Sequence, residues 1–352
     1  MLPGRPRLLA PMLPTSHLRA RSYRIYFLVA LSFGLTFLLL WKGSAHVEVP
    51  AWFEKSSSVQ PDARDARCLS FPDPGTIAIA VKTGATEAVE KIPVLMRTSL
   101  QCAKNVKIFS DLEQDIAGYH LHDAIANISE SAMEGNTDFD FYRKLKEAEK
   151  YGQIEKMLTG SDDPTKPSNM DAWTLDKYKQ LHALESLYAE FPNKDWYMMI
   201  DADSYIVWPN LLTWLKQMPN PWRKKLYIGS QTQIDGKVFA HGGSGMIMSQ
   251  ATMHEFAVVN KGIAEKWDKP MRDHCCGDYI IGVALKEMGI PLKYAWPIIN
   301  GEKPLTLPFG PSHWCQPLVT MHHVGPEEMN DISNFELSRK KKDVRSALSP
   351  AK

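Results

Sequence analysis

WYMMIDADSY, residues 196–205, decides the fold. Trp196 to Ile200 is an unbroken apolar run, and Asp201-Ala202-Asp203 follows it directly. A short run of this kind suits a strand buried on both faces, as in a parallel sheet. Open α/β sheets bind their ligands at the carboxyl ends of such strands. Two carboxylates placed there suit a hard divalent cation such as Mg²⁺ or Mn²⁺, which commonly bridges to substrate phosphates. The string therefore points to metal-assisted chemistry on a nucleotide-linked substrate. Asp138-Phe139-Asp140 repeats the Asp-x-Asp form inside the polar stretch NTDFDFYRKLKEAEK. That copy reads as the start of a solvated helix and lacks the strand context.

Working outward, the chain reads as strands alternating with helices. TIAIAV (76–81) and VKIF (106–109) are strand candidates, ending in Lys82-Thr83-Gly84 and Ser110-Asp111. Residues 85–101 have a helical pattern that Pro93 interrupts. Residues 173–191 form one amphipathic helix with Leu175, Tyr178, Leu181, Leu184 and Leu187 at helical spacing. Leu226–Gly229 and Gly245–Met248 are short apolar runs, and 277–288 is helical. The alternation predicts an α/β domain with a largely parallel sheet over residues 73–335.

The N-terminus suggests a compartment. Residues 1–24 hold five arginines and no acidic residue, and Ile25–Trp41 is an uncharged apolar stretch. This pattern predicts a cytosolic tail (1–24), a type II membrane anchor (25–41) and a Ser/Pro-rich stem (42–72). A cleaved signal peptide is the alternative, with Gly43-Ser44-Ala45 as its processing site. The shortness of the span suits Golgi or ER membranes. Asn127-Ile128-Ser129 is a glycosylation sequon. Five cysteines (Cys68, Cys102, Cys275, Cys276, Cys315) allow two disulfides in an oxidising lumen. The adjacent pair Cys275-Cys276 is not expected to bond to itself. Zinc spacing of the Cys-x-x-Cys kind is missing from the sequence. Residues 336–352 read as a basic, disordered tail. A net charge of +1 gives no footing for nucleic acid.

Several polar residues then fall at one rim. Lys82, Thr83 and Asp111 end strands beside Asp201 and Asp203; they either contact a nucleotide or simply end strands. The loop His241-Gly242-Gly243-Ser244-Gly245 is not a phosphate loop. Its glycines either let backbone approach a sugar or make a turn. Asp278 is either a helix cap or a general base. His322 and His323 follow an apolar stretch. An imidazole can join carboxylates on a metal, and strand alternation predicts that only one of the two faces the site.

Taken in order, IAIAVKTG, VKIFSD, WTLDKYK, WYMMIDADSYI, FAHGGSGMIMS, CCGDYIIGVALKEMGI and TMHHVGPEEM resemble the fringe and core 1 β-1,3-galactosyltransferase group, glycosyltransferase family 31, particularly its fungal members. The resemblance spans residues 76–330. It implies a Rossmann-like, GT-A-type fold and an inverting transfer of a hexose, with galactose favoured, from a UDP-sugar to a glycan or glycoprotein hydroxyl. It also implies Mn²⁺ or Mg²⁺ held by Asp201, Asp203 and His322, with Asp203 the direct ligand. Asp278 is implied as catalytic base, and Thr83 and Asp111 as nucleotide contacts. Many relatives carry three consecutive aspartates where this chain has Asp-Ala-Asp. A non-catalytic Golgi lectin or folding partner on the same fold is the alternative.

Overall fold

The computed structural model describes residues 68, 73–157 and 167–338. The expected tail and anchor (1–41), nearly all of the stem, and residues 339–352 lie outside the described residues. Among the described residues, no helix is long and apolar enough to cross a membrane.

The strands are β1 (Ile77–Lys82), β2 (Asn105–Ser110), β3 (Gln114–Ile116), β4 (Tyr119–Asp123), β5 (Trp196–Asp201), β6 (Tyr205–Ile206), β7 (Tyr227–Gly229), β8 (Gln231–Ile234), β9 (Lys237–Ala240), β10 (Met246–Ser249), β11 (Leu292–Tyr294) and β12 (Thr320–Met321). The longer helices are α1 (Ala88–Arg97), α2 (Asp140–Lys150), α3 (Pro167–Asp176), α4 (Lys179–Glu190), α5 (Trp208–Leu215), α6 (Gly277–Glu287) and α7 (Pro326–Ser338). Eight of the described strands form one sheet in the order β11-β7-β10-β5-β1-β2-β4-β3.

β5 lies at the centre, as its apolar run predicts. Tyr197 and Met199 enter the core cluster on one face, and Trp196, Met198 and Ile200 enter the cluster on the other. β1 splits the same way, with Ala78 and Ala80 opposite Ile77, Ile79 and Val81. Full burial of side chains of this size contributes about 1.5–3 kcal/mol each, enough to hold the strand's register. β1 pairs parallel with both β2 and β5, which sets Lys82 level with Asp201. The α/β expectation holds, with one refinement. β10 runs antiparallel between β5 and β7, so the parallel centre is interrupted.

Three local expectations are corrected. Pro93 does not interrupt α1, which runs through it from Ala88 to Arg97. The carbonyl that loses its helical partner belongs to Val89, a residue 56% exposed, so water can serve it. The single helix expected over 173–191 is two, α3 and α4, broken at Lys177-Tyr178. Tertiary contacts explain the break. Lys177 Nζ donates to the carbonyls of Arg272 and His274, and Tyr178 Oη donates to Asp138. The second Asp-x-Asp copy is thus tied up structurally, with Lys177 Nζ also 2.9 Å from Asp138. Finally, α7 continues to Ser338, past the expected start of the basic tail at 336.

Cys68 and Cys102 form a disulfide that ties the segment before β1 to the turn before β2. Contrary to expectation, Cys275 and Cys276 are also bonded to each other. The chain stretches into an extended conformation at Cys276 before α6 begins. Cys315 is exposed and unpaired, and the sequon residue Asn127 is exposed.

Candidate active site

The carboxyl end of β5 opens into a tight turn. Ala202 N–H donates to Lys82 O at 2.9 Å, and Ser204 N–H to Asp201 O at 3.0 Å. Ser204 is buried, and its hydroxyl donates to Gly243 O at 2.8 Å. This bond anchors the turn to the loop 241–245. Asp203 O in turn accepts the Val324 N–H at 2.9 Å, drawing in the chain that leaves β12.

Those contacts gather the acidic and imidazole side chains. His322 Nε2 lies 3.2 Å from Asp203 Oδ1 and 3.8 Å from Asp201 Oδ2. His323 Nδ1 lies 3.9 Å from Asp203 Oδ2. Both histidines therefore approach Asp203, which corrects the expectation that only one could. β12 ends at Met321, so strand alternation no longer applies. His323 has φ +53°, a left-handed conformation that swings its ring beside that of His322, with centroids 3.8 Å apart. His322 Nδ1 is buried and has no hydrogen-bond partner among the described residues. Asp203, His322 and His323 form a group whose ligand atoms lie within 4.8 Å of one another. With Asp201 Oδ2 beside them, these carboxylates and imidazoles make a mixed oxygen–nitrogen set that fits a divalent cation such as Mn²⁺.

Lysines complete the electrostatics, and the sequence reading assigned them no role beyond Lys82. Lys91 Nζ, from α1, is 3.3 Å from Asp203 Oδ2 and 2.8 Å from Glu87 Oε2. Burial raises the proton affinity of Asp203, but the His322 hydrogen bond and the Lys91 charge outweigh it and hold the carboxyl well below its usual range. Lys82 Nζ is 3.0 Å from Asp201 Oδ1 and also donates to Asp176. Lys179 Nζ is 3.4 Å from both Asp176 Oδ1 and Asp111 Oδ2. Alternating charges therefore run from Asp201 through Lys82, Asp176 and Lys179 to Asp111. Asp176 and Lys179 sit in the WTLDKYK motif, whose charged pair was the available signal.

Thr83 and Asp111 lie at the far end of this chain and are buried. Asp111 Oδ1 accepts the Ala85 N–H, and Thr83 Oγ1 is 3.3 Å from Glu87 Oε1. Among the described residues, Asp111 Oδ2 makes no hydrogen bond and is met only by Lys179 Nζ at 3.4 Å.

Asp278 opens α6 in its first turn. Its Oδ2 accepts the Gly242 N–H at 2.8 Å, and its Oδ1 accepts the Tyr279 N–H at 2.8 Å. Burial pushes its pKa up, against the Gly242 hydrogen bond and the His241 charge. Close approach requires glycine at 243 and leaves little room at 242. A Cβ on Gly242 would stand 3.3 Å from Asp278 Cβ, and one on Gly243 would stand 2.1 Å from His322 Cε1. His241, which precedes them in the loop, has its pKa lowered by burial and then by the neighbouring His322. Its ring centroid is 5.6 Å from that of His322.

The Fringe-like family model matches residues 73–295. The match takes in Asp201, Asp203 and Asp278 and stops short of the two histidines. No curated protein matches the chain by sequence. Among solved structures, it is similar to the galactosyltransferase LgtC in complex with donor and acceptor sugar analogs, at 12% identity and a TM-score of 0.37, covering 77% of this chain and 100% of that one. A glycosyltransferase involved in glycosylating the major capsid protein of PBCV-1 is similar at 10% identity and a TM-score of 0.31, over 73% and 99% of the two chains. The glycosyltransferase GlyE of Streptococcus pneumoniae is similar at 10% identity and 0.35, over 78% and 65%. Likeness at this level carries no assignment; the family match does.

Proposed function

The chain belongs to the Fringe-like family of glycosyltransferases, and on that premise we propose that it is an inverting, divalent-cation-dependent hexosyltransferase. Its donor is a UDP-sugar, with UDP-galactose the first candidate. The product is a β-1,3 linkage on a glycan or glycoprotein. Residues 73–335 form the catalytic domain, carried in the Golgi lumen behind a membrane anchor at 25–41.

One observation carries this reading: a single loop serves both candidate centres. Gly242 N–H holds the Asp278 carboxylate, and Gly243 backs the His322 ring that reaches Asp203. Asp278, kept half-buried, takes the proton from the acceptor hydroxyl. The oxygen so freed attacks the anomeric carbon in one displacement. Asp203, His322 and His323 would hold the cation, with Asp201 beside them. When bound, the cation would offset the charge that develops on the departing diphosphate. Lys91 helps to hold Asp203 ionised, Lys82 pairs with Asp201, and Lys91 is placed to offer further positive charge at the rim.

Asp278→Asn in the full chain tests the assignment. Transfer from UDP-galactose should fall by about 10²–10⁴-fold, the range expected for loss of a proton-transfer group. UDP and Mn²⁺ binding by calorimetry should stay nearly unchanged. Transfer that persists means Asp278 is not the base. If the wild-type chain binds glycans but turns over none of a panel of UDP-sugars with Mn²⁺, the lectin reading replaces the enzymatic one.

A further inference from the structure

A different cluster lies on the edge hairpin of the sheet, three strands away from β5. His120 and His122 flank the buried Leu121 on β4 and so share one face. Glu113, just before β3, points to the same place. His120 Nε2 is 2.6 Å from Glu113 Oε1, and His122 Nδ1 is 3.7 Å from that same oxygen.

Both ring nitrogens of His120 face a carboxylate, since its Nδ1 is 2.9 Å from Asp115 Oδ1. A neutral imidazole has one N–H and one lone pair. One of the two contacts is therefore acceptor against acceptor unless a proton or a metal ion lies between. We propose that this cluster is a metal site for a zinc-class divalent ion, bound by His120 Nε2, His122 Nδ1 and Glu113 Oε1.

Two of the three ligands are already oriented from behind. Asp115 Oδ1, 2.9 Å from His120 Nδ1, is placed to accept an Nδ1–H and so to present the Nε2 lone pair to an ion, the usual carboxylate–histidine–metal arrangement. Glu113 Oε2 accepts the Asp123 N–H at 2.8 Å, which leaves Oε1 for the ion. Ligand atoms on a tetrahedral zinc lie about 3.4 Å apart, given bonds of about 2.0–2.1 Å. The separations of 2.6 and 3.7 Å bracket that value. Two imidazoles and a single carboxylate suit zinc, whereas the Asp203 group has the second carboxylate of Asp201 beside it, which shifts its preference toward the harder Mn²⁺. The side chains of His120 and Glu113 are about half exposed, leaving the fourth position to water. The ion would clip β3 to β4 across the turn at Ala117 and Gly118, both at positive φ.

The test uses the full chain purified without a histidine tag, with Zn²⁺ titrated against a chromophoric chelator and Co²⁺ as a visible probe. An Asp203→Ala/His322→Ala variant should still bind one equivalent of Zn²⁺ and give the intense visible band of low-coordinate Co²⁺. Adding His120→Ala should remove both. Asp115→Asn should weaken binding about 10–100-fold, the usual effect of losing such an orienting group. Should the double variant fail to fold, His120→Ala alone must remove one equivalent from the wild-type chain. The proposal is overturned if His120→Ala leaves the Zn²⁺ stoichiometry unchanged, or if no equivalent binds outside the Asp203 group. The cluster is then an exposed ion-pair network only.

Discussion

Gly243 shows how much one missing methyl group decides. Its Cβ would overlap the His322 ring, and the overlap involves three ring atoms within 2.7 Å. Gly243→Ala should push the imidazole away from Asp203 and lower Mn²⁺ affinity about 10–100-fold, in the range for a disturbed ligand. Overpacking would cost about 1–3 kcal/mol of stability. Calorimetric titration beside a melting curve separates the two effects; unchanged Mn²⁺ affinity would remove His322 from the ligand set. Asp278 gives a second prediction. Burial is the main cause of its raised pKa, so the acid limb of kcat/KM should lie above the ordinary aspartate value of 3.8. His241→Phe removes a charge that lowers the pKa and should move the limb higher. The stability sign follows from the same shift. The folded protein holds this proton more tightly than the unfolded chain does. The stabilisation is therefore fully present below 3.8 and is lost as pH rises through the raised value. Asp278→Asn should lose activity and also one of its two backbone hydrogen bonds, because the amide nitrogen cannot accept the Gly242 or Tyr279 N–H.

At the scale of elements, the placement of α6 depends on contacts between segments far apart in sequence. Gly277 packs against the Lys177 carbonyl in the break between α3 and α4, where a Cβ would come within 2.6 Å of that oxygen. Backbone cannot swing aside as a side chain can. Gly277→Ala should shift the start of α6, destabilise the protein by about 1–3 kcal/mol and lower kcat more than it raises KM. Urea denaturation and steady-state kinetics check the two parts. The helical period of 173–191 was legible in Leu175, Leu181, Leu184 and Leu187, which are all buried. The break was not, because it arises from Lys177 and Tyr178 bonding to partners 95 and 40 residues away, respectively. His323 failed as a sequence inference for a related reason. The alternation rule holds only while the chain remains a strand, and β12 stops one residue before His322.

Across the whole molecule, the Cys68–Cys102 bond closes a loop with a sequence separation of 34. In the chain-entropy picture, a loop of that size is worth roughly 3–4 kcal/mol. Cys102→Ser should lower the denaturant midpoint without changing the site, and a reductant should lower the wild-type midpoint alongside it. An unchanged midpoint would mean that the segment before β1 adds nothing to stability. The strands β1, β2 and β5, and the carboxylates that close β5, follow from the sequence alone. Runs such as TIAIAV and WYMMI bury both faces wherever they lie in a sheet, and that requirement is local. The family resemblance likewise rests on motifs that can be read in order. The partners of those carboxylates were settled only by tertiary structure. Lys91 meets Asp203 across 112 residues, and Lys179 reaches Thr83 O across 96. No periodicity encodes such pairs, because a charge finds its partner through the crossing of elements rather than through spacing along the chain. The antiparallel insertion of β10, the turn that brings His323 to Asp203 and the loop that joins Asp278 to His322 were decided the same way.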